Sequence, residues 1–408
     1  MQPWKKKTIV FLISQGITLF GSSVVQFAIV WDVTLKTSSG AWVSALTICS
    51  FLPQFLISFF SGVWADRYSR KLLIILSDTV IAATTLALAL LMPIIDNSIT
   101  LYTILLITSV IRSLGAGVQT PAVNSMIPQL VPEEHLMRLN GINATLQSVV
   151  QFAAPAAAGA ILTFSILRST LFIDIATAII GVALLACIAI PKQGAKEKSE
   201  APSVFFEMKQ GVKYTFANRF IGKLLLSYGL FIFLAVPAGF LAALFVSRTY
   251  GDSYFYLTAT ELVGFAGMTA GGILISTWGG FPNRVKTLLV GIVAFGALAI
   301  GMGAIRNFAI YLVLMAVYGI ALTMVQTAVT TLIQEKSEEN MQGRVFGFLS
   351  AMYSGCLPLG MAVFGPLADV VSMRILMIAT GGVLTALAGM LRLDKSIYEK
   401  TQTLPAQK

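Results

Sequence analysis

Apolar segments of about 20 residues or more recur from one end of the 408-residue chain to the other, with short polar stretches between them. A helix needs about 20 apolar residues to cross a bilayer, whereas a strand of an outer-membrane barrel alternates in polarity over about ten. The pattern therefore predicts an all-α polytopic membrane protein. The predicted spans lie at about 8–35, 41–63, 72–93, 99–121, 141–164, 169–190, 220–246, 254–278, 286–304, 308–334, 345–369 and 373–393.

The longest polar stretch divides these twelve spans into six and six. We predict an N-terminal six-helix bundle over 1–190, a cytoplasmic linker over 191–219, a C-terminal six-helix bundle over 220–393 and a cytoplasmic tail over 394–408. Apolar side chains within 204–216 can share one helical face, which indicates an amphipathic helix on the membrane surface. The Lys, Glu, Ser and Pro content of the linker equally suits a flexible connection.

Short motifs of the first half return in the same order in the second half. Gly62–Arg67 has the spacing Gly-x-x-x-Asp-Arg, and Gly279–Arg284 repeats it with Asn in place of Asp. Further matching pairs are Val118-Gln119-Thr120 with Val325-Gln326-Thr327, Glu133-Glu134 with Glu338-Glu339, and Pro155 with Pro358. Two such halves, related by an axis normal to the membrane, are a transporter architecture with a substrate path between them.

Charge sets the predicted orientation. Only 11% of the residues are charged and 56% are hydrophobic, and the mean hydropathy is +0.83. Of the 28 lysines and arginines, 22 fall on the face that holds both termini, five on the other face, and Arg112 within a span. The positive-inside rule then places both termini in the cytoplasm. It also accounts for the formal charge of +10 without a nucleic-acid partner.

The residues that enzymes and metal sites need are sparse and scattered. Cys49, Cys187 and Cys356 lie in separate apolar runs, which indicates packing rather than disulfides or metal ligation. His135 has no Cys or His neighbour at ligand spacing. Because no nucleophile–base pair or nucleotide-binding loop is visible, we predict a protein that is not an enzyme and has no metal or cofactor. A proton gradient is then the expected energy source.

Motifs in several spans resemble the major facilitator superfamily. Its signature loop, Gly-x-x-x-Asp-Arg-x-x-Arg-Lys, stands here at Gly62, Asp66, Arg67, Arg70 and Lys71. Residues 112–117 resemble the motif that the superfamily carries in its fourth span. Residues 154–159 resemble, in a degenerate form, the motif that its exporters carry in span five. Closer similarity to the macrolide-efflux branch of the drug:proton antiporters comes from Thr120–Asn124, Leu130–Glu134, Leu146–Ser148, Phe172–Asp174, Gln334–Lys336 and Gly343–Phe346.

This resemblance implies a secondary transporter with twelve helices in two pseudo-symmetric bundles. It further implies export of small amphiphilic, macrolide-like drugs in exchange for protons, by a monomer in the bacterial cytoplasmic membrane. Two alternatives stay open at this point. The cargo could be a siderophore, a lysolipid or another metabolite, and a membrane receptor that does not transport is a third possibility.

Five ionisable side chains fall within the predicted spans, namely Asp32, Asp78, Arg112, Asp174 and Glu261. A charge there costs at least about 2.5–3.5 kcal/mol, so each needs a partner, a proton or water. Glu261 is a proton-coupling or cargo-contacting candidate, with a structural hydrogen bond as the alternative. Arg112 and Asp174 are also proton-coupling candidates, against a role in tying helices together. Asp32 is the fourth candidate, although its place beside Trp31 near the outer rim also suits a hydrated carboxylate.

The signature loop is a candidate conformational switch. Asp66 can accept from Arg70 at the i,i+4 spacing, and such a charge contact could hold one state of a two-state transporter. A loop that merely sets topology is the alternative. We expect Asp78, two turns into span three, to be a structural partner of this loop. The predicted switch residues are Gly62, Asp66, Arg67, Arg70, Lys71 and Asp78.

Drug sites are mostly apolar with a few polar anchors. Aromatic, amide and methionine side chains within the spans are therefore the candidate cargo contacts. Each of them could instead pack in the core or face lipid. These candidates are Gln26, Phe27, Trp31, Gln147, Gln151, Tyr228, Phe231, Phe233 and Met268.

Overall fold

The computed structural model describes residues 3–132, 135–188, 214–215, 217–338 and 341–394, and these residues form helices and short connections without a strand. The α-helices are α1 Pro3–Thr37, α2 Gly40–Arg67, α3 Arg70–Leu91, α4 Ser98–Leu130, α5 Leu136–Phe164, α6 Leu167–Ala186, α7 Arg219–Ala235, α8 Ala242–Tyr250, α9 Tyr254–Trp278, α10 Arg284–Ala304, α11 Phe308–Lys336, α12 Gln342–Val370 and α13 Met373–Leu393. Apart from 214–215, the predicted amphipathic helix and the tail beyond 394 lie outside the described residues.

Eleven helices of the described part are long and apolar enough to cross a membrane, which confirms the all-α polytopic class. The span predicted at 220–246 is the exception, because the structure divides it into α7 and α8. Pro237 has no N–H for a helical hydrogen bond, and its ring obstructs the preceding turn. The chain passes instead through turns at 236–241. The prediction of one continuous helix over 220–246 is therefore wrong, and the total of twelve spans stays a prediction.

The signature loop is much shorter than predicted. We expected a polar loop over Gly62–Lys71, but α2 continues as a helix through Arg67 and α3 begins at Arg70. The Ser69 side chain accepts a hydrogen bond from the N–H of Leu72 and so caps α3. Hydropathy marks where apolar residues end, whereas a helix continues for as long as its backbone hydrogen bonds do.

The chain divides into two compact units. The first comprises Met1–Thr37, Ala45–Ser199 and Ser253–Thr258, and the second comprises Ser38–Ser44, Glu200–Asp252 and Ala259–Lys408. Each unit thus includes the first residues of a helix, α9 or α2, whose continuation belongs to the other unit. The domain boundaries drawn from the sequence stay a prediction.

In the first unit, α1 packs mainly against α5 and α6, and α3 packs against α4 and α6. Buried side chains such as Phe11, Ile74 and Met126 form a core cluster between these helices. Small residues permit the close approach that helix packing in a bilayer requires. A methyl group at Gly181 would lie 2.3 Å from Cγ2 of Thr18, so α6 approaches α1 closely there.

In the second unit, α10 packs against α11 and α13, and α12 packs against α7. An aromatic cluster lies where α7, α10 and α11 meet. The ring of Phe295 lies 4.7 Å from that of Phe231 and 4.3 Å from that of Tyr318, measured between centroids. These helices therefore form a tightly packed core in the second unit.

Candidate functional site

A buried ion pair joins α4 to α6 in the first unit. Asp174 is 1% exposed and Arg112 is 7% exposed. Nη1 of Arg112 donates to Oδ2 of Asp174, and Nη2 donates to the carbonyl of Ser22 at 3.3 Å. Oδ2 of Asp174 also accepts from Thr85 Oγ1 at 2.9 Å, and Oδ1 accepts from Ser22 Oγ at 3.2 Å. Side chains of α1, α3, α4 and α6 thus converge on one carboxylate.

This geometry brings together two of the predicted proton-coupling residues. A buried carboxylate is stable when it is paired and hydrogen-bonded, and protonation would cancel its attraction for the guanidinium. The pair can therefore tie four helices together, or it can change partners when Asp174 takes up a proton. Both alternatives that the sequence left open remain compatible with these contacts.

Asp32 is held by partners on both carboxylate oxygens. Lys36 Nζ lies 2.9 Å from Oδ2, and the hydroxyl of Tyr254 donates to Oδ1 at 3.2 Å. The side chain is only 3% exposed, so it is buried rather than hydrated at the rim. These contacts favour a structural role, in which Asp32 holds the first turn of α9 within the first unit.

Glu261 lies on α9 in the second unit and is half-buried. Among the described residues it forms neither a hydrogen bond nor an ion pair. The phenols of Tyr311 and Tyr318 are close enough to interact with it electrostatically. The described residues therefore offer no partner for the structural hydrogen bond that the sequence left as an alternative.

Asp78 forms its hydrogen bond with α4, and among the described residues it has no hydrogen bond or ion pair with the signature loop, so its partnership with that loop stays a prediction. Its Oδ1 accepts a hydrogen bond from Nε2 of Gln119 on α4 at 2.6 Å. Its Oδ2 is enclosed and has no hydrogen-bond partner in the described part of the chain. Asp78 lies two turns into α3, far enough along the helix that its carboxyl faces α4 instead of the loop.

Two basic residues of the signature loop, Arg70 and Lys71, donate to carbonyls of neighbouring helices. Arg70 donates to the carbonyl of Ala65 at 3.0 Å and to that of Ser125 at 2.6 Å. Lys71 donates to the carbonyls of Ala186 and Ile188, at the end of α6, at 2.7 and 2.9 Å. Cations at helix C-termini are electrostatically favourable. The side chain of Asp66 lies outside the described residues, so the switch stays a prediction.

Several predicted cargo contacts are buried against neighbouring aromatic side chains. Phe231 is 0% exposed and lies against Phe295. Tyr228 stacks on Phe231, and Trp31 is buried beside Phe27. The remaining candidates are polar, partly exposed or paired. Gln26 donates to Ser50, Gln147 and Gln151 are exposed on α5, the Phe233 ring lies 5.1 Å from that of Phe364, and the carbonyl of Met268 accepts from Thr323.

Sequence reasoning missed a small cavity lined by several carboxamide side chains in the first unit. Its volume is about 70 Å³, and it lies between α1, α4 and α5. Its lining is rich in carboxamides and consists of Gln15, Leu19, Gln119, Thr120, Val123, Asn124, Asn143, Leu146 and Gln147. Only Gln147 was among the predicted cargo contacts. A signal was present on α5, where Asn143 and Gln147 are four residues apart and so lie on one face of the helix.

A second missed feature is a carboxylate at the N-terminus of α2, within the second unit. Asp369 accepts from the N–H of Gly40 at 2.7 Å and from the hydroxyl of Ser39 at 2.9 Å. Arg248 donates to the same carboxylate at 2.7 Å and, through Nε, to the carbonyl of Ser38 at 3.0 Å. Ser38 has a φ of +47°, a conformation that non-glycine residues rarely adopt. Asp369 thus caps α2 from another helix.

Comparisons with a family model, with curated relatives and with solved structures agree with one another. The Major Facilitator Superfamily model matches residues 11–361. Macrolide efflux protein A of Streptococcus pyogenes is 29% identical over 94% of this chain and 95% of its own length. Macrolide efflux protein A of Enterococcus faecalis is 29% identical over 79% of this chain and 99% of its own length. A bacterial homologue of the human lysosomal transporter Spinster, solved in an inward-facing, unoccupied conformation, has the same fold, with a TM-score of 0.75, 17% identity and full coverage of both chains.

Proposed function

Since the chain belongs to the Major Facilitator Superfamily and is a multi-pass membrane transporter, we propose that it exports amphiphilic, macrolide-like compounds in exchange for protons. The similarity to Macrolide efflux protein A along almost the whole of both chains carries this proposal. Its activity is transport rather than catalysis. We place it in a bacterial cytoplasmic membrane, where the proton gradient points inward, and we propose that it acts as a monomer.

Proton coupling is supported by the buried Arg112–Asp174 pair. With Asp174 ionised, the guanidinium and two hydroxyl groups hold α1, α3, α4 and α6 to one carboxylate. With Asp174 protonated, Arg112 loses its counter-ion and favours another arrangement of these helices. A proton can then bias a two-state equilibrium, because its binding free energy differs between the two states.

Glu261 is the second carboxyl in the proposed mechanism. It lacks a partner among the described residues and lies near two buried tyrosines, so it is suited to meet either a proton or a cationic group of the cargo. Replacing the carboxyl of Asp174 and that of Glu261 in separate variants shows which residue couples the proton and which contacts cargo. A residue that only contacts cargo changes affinity, whereas a residue that couples the proton changes the response to a pH gradient.

The test uses inside-out membrane vesicles with an acidic lumen. Vesicles without the protein give the background level, because erythromycin is a base and is trapped in an acidic lumen without any transporter. Labelled erythromycin should accumulate above this background in vesicles that contain the wild-type protein. Asp174→Asn should reduce accumulation to that background. Asp96→Asn, a matched acid-to-amide change at an exposed position between α3 and α4, should have no effect.

Two results would contradict the proposal in different ways. Full pH-driven accumulation by Asp174→Asn would remove the Arg112–Asp174 pair from the coupling mechanism. Wild-type vesicles that accumulate no macrolide but do accumulate a siderophore, a lysolipid or another metabolite would overturn the macrolide cargo while leaving a proton-driven exporter. Glu261→Gln, measured in parallel, should lose either erythromycin affinity or the response to the pH gradient.

A further inference from the structure

Asp78 is a buried carboxyl that the mechanism above does not use. It is 4% exposed, accepts one hydrogen bond from Gln119, and has a second oxygen enclosed without a partner in the described residues. An ionised carboxylate in such a place is costly, whereas a protonated one is a neutral polar group with far less to lose on burial. The site therefore suits a carboxyl that binds and releases a proton.

The charged groups around Asp78 are engaged elsewhere. Helix α3 packs against α4 and α6. Besides Asp78 itself, the described charged side chains on α3, α4 and α6 are Arg70, Lys71, Arg112, Arg168 and Asp174. Arg112 and Asp174 pair with each other, and Asp174 is close enough to act electrostatically on Asp78. The other three donate to backbone carbonyls, and none of the five forms an ion pair with Asp78.

Gln119 connects this carboxyl to the carboxamide-lined cavity. Its Nε2 donates to Asp78, while the same side chain lines the cavity. The acceptor that it can then offer to a molecule in the cavity is its carbonyl oxygen, Oε1. The cavity has no charged lining residue, and its volume of about 70 Å³ suits one polar group of a cargo molecule.

We propose that Asp78 is a proton-binding site that cargo controls through Gln119, and that the cavity takes a cargo group bearing hydroxyl or ammonium donors. The proposal rests on the proposed export function for the direction of transport. A donor that bonds Oε1 polarises the amide and strengthens the hydrogen bond from Nε2 to Asp78. A stronger donor stabilises the carboxylate over the carboxylic acid. Cargo binding therefore expels the proton, and by reciprocity protonation weakens cargo binding, which is the sign that an antiporter needs.

The first test needs no cargo. Infrared difference spectra of the full-length protein in lipid nanodiscs, recorded across a pH titration, should contain the carbonyl band of a protonated carboxyl that Asp78→Asn removes. Gln119→Leu should shift the band, because the hydrogen bond to Oδ1 is lost. Thr79→Val, which removes an exposed hydroxyl from the next position on α3, should leave the band unchanged. A wild-type spectrum without any band sensitive to Asp78→Asn would overturn the proposal.

The second test counts protons with erythromycin as the probe. Binding to the wild-type protein in weakly buffered detergent solution should release protons, detected with an indicator dye and corrected for erythromycin's own amine. Asp78→Asn should bind erythromycin but release fewer protons per bound molecule than the wild type, because Asp174 is still present, and Gln119→Leu should also show a reduced release. Asn143→Leu, on the α5 side of the cavity, should weaken binding but keep the number of protons released per bound molecule.

The outcomes separate this inference from the proposed function. Equal proton release by the wild type and Asp78→Asn would overturn the inference and leave macrolide export intact. A carboxyl band that depends on Asp78, together with no erythromycin binding by the wild type, would contradict the macrolide cargo and support the proton site. If Asp78→Asn does not fold, Gln119→Leu carries the test alone, and an unshifted band with unchanged release overturns the proposal.

Discussion

At the scale of single residues, a carboxyl inside a membrane protein is defined by its partners, and these are far away along the chain. The apolar context of Asp32, Asp78, Arg112 and Asp174 was sufficient to single them out from the sequence. The partners of Asp78, Arg112 and Asp174 were not predictable, because Gln119 is 41 residues from Asp78, and Arg112 is 62 residues from Asp174. Helical spacing shows only neighbours three or four positions away. Lys36, four residues after Asp32, is such a neighbour.

The first residue-scale prediction concerns the buried ion pair. Arg112→Gln leaves Asp174 as a buried charge without a counter-ion, so the free energy of unfolding should fall by about 3–5 kcal/mol. The double variant Arg112→Gln/Asp174→Asn replaces the pair by neutral amides and should recover much of that loss. Thermal unfolding in detergent at fixed pH measures the stability of the single variant and of the double variant. A double variant less stable than Arg112→Gln alone would show that the carboxylate is not the source of the cost.

The second residue-scale prediction separates packing from cargo contact at Phe231. Because this ring is fully buried against Phe295, Phe231→Ala should lower the free energy of unfolding by about 3–5 kcal/mol. The affinity of the folded fraction for erythromycin should not change. Equilibrium binding at a temperature where the variant remains folded gives the affinity. A large loss of affinity without a loss of stability would restore Phe231 as a cargo contact.

At the scale of elements, the existence of the helices was predictable and their ends were not. Hydropathy placed the end of the second span near 63 and of the fourth near 121, whereas α2 ends at Arg67 and α4 at Leu130. Polar residues extend a helix beyond the hydrocarbon at little cost, so composition alone does not mark the terminus. The break at Pro237 was visible as a proline, but helices α2, α4, α5 and α12 also contain proline. Whether proline divides a helix depends on the tertiary partners of the freed carbonyls.

Close packing at the start of α2 gives the element-scale prediction. A methyl group at Gly365 on α12 would lie 1.8 Å from the hydroxyl of Ser44, next to the Asp369 cap. Gly365→Ala should therefore destabilise the protein by about 1–3 kcal/mol through overpacking. Gly355→Ala on the same helix meets no atom within 4 Å and should be neutral or slightly stabilising. Equal unfolding temperatures for the two variants would contradict the close contact.

At the scale of the whole molecule, the repeated motifs predicted a duplicated transporter, and the family match confirms the superfamily. The central claim is that cargo export is coupled to protons. An uncoupled carrier only speeds the approach of a basic macrolide to the concentration ratio that trapping in acid sets. A proton antiporter draws further free energy from the gradient and exceeds that ratio, since its net flux stops only when the two gradients balance.

The steady-state erythromycin ratio in proteoliposomes with an imposed acidic lumen therefore tests the claim most directly. We predict that the wild-type protein raises the ratio of lumenal to external erythromycin above that of protein-free liposomes, and that Asp174→Asn does not. A wild-type ratio equal to the protein-free value, reached merely faster, would contradict proton-coupled export.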